Sequence, residues 1–158
     1  MSFAAPIEIA GMVVQGLCLE GNCEQDFPDR HVCFELVVQK TPTRRRVVLE
    51  RLEWLSLKGG HSNKRRRPVG VPRRTDASHW HKFELNYQPS SRRMGNDNLS
   101  VAINFEETFS TYENFRIFVG ERLKISNVEL VTRPEWEYSL FYEPGPAAPD
   151  FLEWGSDP

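Results

Sequence analysis

The chain has 158 residues, 39% hydrophobic and 27% charged, with a formal net charge of −2. That is long enough for one domain with its own core, and no apolar run approaches the ~20 residues of a membrane span. Residues 1–8 lack the basic and apolar regions of a signal peptide. Three irregularly spaced cysteines are not the framework of a secreted disulfide domain, so the expected compartment is the cytoplasm.

The small net charge conceals a segregation. Residues 40–93 carry 15 Lys/Arg against 4 Asp/Glu, a net of +11, whereas residues 1–39 are at −5 and residues 94–158 at −8. A basic block of this size between acidic flanks points to an anionic partner, nucleic acid first among them.

In chain order, Ile7–Val14 has strand character interrupted by Gly11, a position suited to a bulge. Glu20-Gly21-Asn22 is turn chemistry, and residues 25–29 form an acidic loop. His31–Gln39 alternates as a strand, with Phe34, Leu36 and Val38 on one face and Glu35 and Gln39 on the other. After a turn at Thr41-Pro42-Thr43, Arg46–Leu57 fits both helix and strand spacing. Its paired valines and Trp54 favour a strand.

Gly59–Ser78 is a long connection with six basic residues and little apolar content; loops of this length in compact domains are usually functional or disordered. His79–Tyr87 reads as a strand with Phe83, Leu85 and Tyr87 on one face. Pro89–Asn98 is a polar loop, and Leu99–Phe105 alternates as a strand. Ser110-Thr111-Tyr112-Glu113 is a capping box opening a helix over Ser110–Lys124, whose apolar stripe is Tyr112, Phe115, Phe118, Val119 and Leu123. Val128–Val131 is a short last strand. From residue 133 the chain becomes proline-rich and acidic, with Trp136 and Trp154.

These elements predict an α+β fold: a mainly antiparallel sheet of five or six strands with one principal amphipathic helix. The domain covers residues 1–132 and the tail residues 133–158.

Three arginine-rich clusters fall in loops or at strand ends: Arg44, Arg45 and Arg46; Lys64, Arg65, Arg66 and Arg67 with Arg73 and Arg74; and Arg92 with Arg93. Arginine outnumbers lysine in this block, and its planar fork binds phosphate bidentately and stacks on exposed bases. Gln88, Asn96 and Asn98 add polar groups nearby, and Trp80 offers a stacking plane. A second constellation is His61, His79 and His81. His79 and His81 share a strand face, and two imidazoles with a cation such as Lys82 or Arg65–Arg67 meet the needs of metal-independent RNA cleavage. A metal at the His-x-His pair is a further use of the same residues.

Cys18, Cys23, His31 and Cys33 have the ligand types of a structural zinc site. Their spacing departs from the usual knuckle, so they are read as small hydrophobes and no metal or cofactor is assigned. No phosphate-binding glycine loop, zinc-protease motif or nucleophile elbow occurs.

The expected function is therefore nucleic-acid binding through the arginine-rich loops. RNA or a single strand is preferred over duplex DNA, because no helix carries the basic residues. One alternative is a metal-independent ribonuclease of toxin type acting through His61, His79, His81 and Lys82. Another is an accessory subunit or inhibitor in a nucleoprotein complex, engaging a protein partner through its acidic tail.

Overall fold

The computed structural model describes residues 2–23, 31–38, 46–64, 67–94 and 99–132, without the side chains of Ser2, Phe3 and Arg93. Arg44, Arg45, Arg65, Arg66, Asn96, Asn98 and the acidic tail lie outside the described residues, as does the protein-partner reading that depends on the tail.

The fold is α+β, with a six-stranded antiparallel sheet in which chain order is also the order of the strands side by side. Its strands are β1 (Ser2–Ile9), β2 (Met12–Cys23), β3 (Val32–Val38), β4 (Val47–Trp54), β5 (His79–His81) and β8 (Ile103–Asn104). A short helix α1 (Phe83–Asn86) and a small hairpin of β6 (Tyr87–Gln88) and β7 (Arg93–Met94) lie between β5 and β8. Helix α2 (Tyr112–Leu123) and a 3-10 turn (Val128–Leu130) follow. Among the described residues no helix is long and apolar enough to cross a membrane.

The principal core lies between one sheet face and α2. Phe34, Leu52 and Trp80 are consecutive cross-strand partners, and Ile103 extends the row onto β8. Phe115 of α2 reaches Phe34, Trp54, Phe105 and Phe109 at ring separations of 5.3–5.9 Å. Trp80 belongs to this core, with its ring stacked on Phe105 and its Nε1 donating to Glu50 Oε2 at 2.7 Å. It therefore presents no open stacking plane.

Several elements differ from the sequence-based expectation. Ala10 and Gly11 both take positive φ between paired Ile9 and Met12, so Gly11 makes a two-residue hairpin turn, not a bulge. Glu20-Gly21-Asn22 lies inside β2, hydrogen-bonded on both sides, because two flanking strands supply more partners than a turn would. The predicted strand His79–Tyr87 stops at His81, and Phe83 stacks on Tyr87 one helical turn later. Of Leu99–Phe105, Ile103–Asn104 joins the sheet, and the rest pairs with no strand among the described residues. The helix N-cap falls one residue later than expected. Thr111, not Ser110, is the N-cap, accepting from the Asn114 amide at 3.2 Å. Val128–Leu130 forms a 3-10 turn where a strand was expected; it packs against buried Gly120, where a Cβ would sit 2.4 Å from Val128.

Candidate functional site

Alternation puts every second residue of a strand on the same face, and antiparallel register aligns those residues across the sheet. On the face away from α2 this builds two polar rows. Glu20, Glu35, Arg51 and His81 are successive partners in one; Asn22, Cys33, Glu53, His79 and Asn104 form the other. Glu35, Arg51, Glu53 and His79 thus share one surface with His81.

Part of that surface neutralises itself. Arg46 binds both Glu20 and Glu35, and Arg51 Nε reaches Glu35 Oε1 at 2.6 Å. Burial pushes the Glu35 carboxyl up, but the hydrogen bonds and charges of the two arginines outweigh it and hold the group below its ordinary range. Arg46, one of the expected phosphate contacts, is thus engaged by the protein's own carboxylates.

The histidines converge. His61 arrives from the Gly59–Ser78 excursion, which is a pinned hairpin. Ser62 and Arg74 form an antiparallel bridge, the Asn63 amide donates to the Arg73 carbonyl, and the Thr75 amide donates to the His61 carbonyl. Gly60 allows the close approach, since a Cβ there would lie 1.6 Å from the Thr75 carbonyl oxygen. Asn63 then fastens the hairpin to the domain: its side-chain amide donates to the Ala102 carbonyl and accepts from the Ala102 amide, both at 2.8 Å. Asn86 pairs with Val101 in the same way, each bond at 2.9 Å. Two asparagine side chains thereby take the place of a missing strand beside residues 101–102.

The ring of His61 lies 4.7 Å from that of His81 and 6.0 Å from that of His79, and His79 and His81 are 5.2 Å apart. His79 and His81 are each 2% exposed. His79 Nδ1 faces the Asp76 carbonyl at 3.1 Å, and its Nε2 faces Glu53 Oε1 at 3.9 Å. His61 Nε2 faces the Ser100 carbonyl at 3.0 Å. His81 Nδ1 is buried without a partner. Burial, reinforced by the neighbouring imidazoles, drives His81 down to about 3, and burial lowers His79 against the opposing pull of Glu53. Both rings are held neutral. Lys82 sits over the Trp80 ring at 4.4 Å, on the side of the core.

The cysteine set does not assemble. Cys33 pairs with Asn22 and faces the polar side, whereas Cys23, one residue on, packs against the principal core. Cys18 packs instead in a small apolar cluster with Val37, Val48 and Leu99. Burial first, then Glu53 and Glu35, pushes the Cys33 thiol up to about 12. Among the described residues, the histidine, cysteine and carboxylate group whose ligand atoms gather is Glu53, His79 and His81.

Of the other basic residues, Lys64, Arg73, Arg74 and Arg92 are exposed, and Arg67 donates from Nε to the Val71 carbonyl at 2.8 Å. Arg73, Arg74 and Arg92 take part in no ion pair among the described residues. Sequence reasoning missed Glu53, Asn63 and Asn86. Glu53 could be found only by knowing the β4–β5 register, and the asparagines carried no signal beyond loop polarity. No family model, curated protein or solved structure matches this chain.

Proposed function

We propose that the protein binds the phosphodiester backbone of a nucleic acid, RNA or an unpaired strand in preference to duplex DNA, through the Gly59–Ser78 hairpin and the β6–β7 hairpin. The observation that carries this reading is the pairing of a +11 block with exposed arginines, Arg73, Arg74 and Arg92, that none of the described carboxylates neutralises. Guanidinium groups left open to solvent on pinned hairpins suit phosphate contact better than the same groups on a mobile tail, because less order has to be imposed on binding. Arg46 is not part of the proposed contact set.

Binding is favoured over cleavage. Acid–base work on RNA requires imidazoles that reach the phosphodiester and titrate near neutrality, and His79 and His81 are buried, with His81 at about 3.

Labelled single-stranded RNA titrated at low and at physiological salt tests the proposal. Affinity should fall about tenfold or more with salt, and the double variant R73E/R74E should weaken binding at least as much. Absence of binding at low salt, or binding indifferent to salt, would overturn it. The RNA should remain intact in EDTA; fragments that disappear in a His61→Ala variant would restore the ribonuclease reading.

A further inference from the structure

We propose that Glu53, His79 and His81 hold one divalent transition-metal ion of the zinc type, beside the ring of His61, whose centroid lies 4.7 Å from that of His81. This inference does not depend on nucleic-acid binding.

Three observations carry it. One ligand atom from each of Glu53, His79 and His81 lies within 4.8 Å of the others. Ligands about 2.0–2.2 Å from a tetrahedral ion are separated by roughly 3.3–3.6 Å, so small side-chain rotations close the gap. Second, two of the histidines keep one ring nitrogen at the backbone: His79 Nδ1 at the Asp76 carbonyl and His61 Nε2 at the Ser100 carbonyl. A backbone carbonyl that takes one ring N–H fixes the tautomer and leaves the other nitrogen as a lone-pair donor, which is the usual support of a metal-binding histidine. Third, His81 Nδ1 is buried without any partner, in a residue 2% exposed. Buried polar atoms are nearly always satisfied, and among the described residues nothing donates to or accepts from this one.

The donor set selects the ion. Two imidazoles and a single carboxylate suit zinc-like ions, whereas calcium and magnesium prefer oxygen cages. The burial of His79 and His81 suits a closed structural site better than an open catalytic one. The competing internal cation is Arg51, whose Nη1 lies 4.0 Å from Glu53 Oε1, but its Nε is already bonded to Glu35 at 2.6 Å. An ion here would join β4 to β5 beneath the hairpin that carries His61.

The full-length protein, stripped with chelator and dialysed, is titrated with Zn2+ and separately with Co2+. One equivalent should bind, Co2+ should show the visible absorption of a tetrahedral nitrogen–oxygen site, and Tm should rise by roughly 5 °C or more at a hundredfold excess over Kd. Glu53→Gln and His79→Gln should each weaken binding at least tenfold. The triple variant C18S/C23S/C33S should bind as the parent does. Glu53→Gln is isosteric at a partly exposed position, so it reads the site even if His79→Gln fails to fold. No binding above background, full binding by Glu53→Gln, or loss of binding in the cysteine variant would each overturn the proposal.

Discussion

On one face of the sheet, Phe34, Leu52, Trp80 and Ile103 follow one another across β3, β4, β5 and β8, and α2 closes over them. On the other face the adjacent positions hold Glu35, Arg51 and His81, with Glu53 and His79 one row further along. Backbone and register are shared, yet the two faces gain stability by different physics. The aromatic face removes apolar area from water and needs only volume and shape. The polar face is also largely buried, so each charge and imidazole there has to find a partner or be neutral. Glu35 finds two arginines; His81 is neutral and still has one nitrogen unsatisfied. A sheet face that buries unsatisfied donors and acceptors where apolar side chains would have served is a place to look for a ligand.

The largest expected effect is on the aromatic face. Phe115 is fully buried among four other rings, and Phe115→Ala should cost about 3–5 kcal/mol in urea unfolding. A much smaller loss would mean that α2 is not the lid of the core.

Next comes the seam between the faces and the hairpin. Asn63→Ala leaves the Ala102 amide and carbonyl and the Pro72 carbonyl without their partner, at a cost of about 2–3 kcal/mol. Hydrogen exchange should show the Ala102 amide losing protection. Asn63→Asp restores the acceptor but not the donor, so it should recover only part of that loss.

The smallest effect belongs to the polar face and depends on pH. The folded-state pKa of Glu35 lies below its ordinary value, so its stabilising contribution is present above the ordinary carboxylate range. That contribution is lost as pH falls through the lowered value. Glu35→Gln should therefore destabilise by about 1–2 kcal/mol near neutrality, with the difference from the parent shrinking in acid. A difference that stays constant between neutral and acidic pH would show that Glu35 packs without an ionic role.

Much of the fold was legible in the residues. Phe34 and Leu36 on β3, the Val47–Val48 pair with Trp54 on β4, and the stripe from Tyr112 to Leu123 each repeat at the spacing of the element they form, because burying one face imposes that period. Where the reading failed, a partner distant in sequence decided. Gly21 became strand because β1 and β3 flank it. Residues 101–102 did not, because Asn63 and Asn86 supply the hydrogen bonds a neighbouring strand would have supplied. Thr111 took the cap that the Ser110 spacing suggested. The candidate site was half legible. His79-x-His81 shows its shared face in the sequence, but Glu53 opposite it depends on a register that no local pattern encodes.

The sequence by itself determined the fold class, the segregation of charge and the residue types available for chemistry, since composition and periodicity are local properties of the chain. Only the tertiary structure decided that Arg46 is engaged by carboxylates, that Trp80 is core, and that His61, some twenty residues from His79 and His81, sits against both. The physical reason is that strand register and hairpin docking are set by the burial of every side chain at once, so which polar groups meet is known only when the whole core has closed.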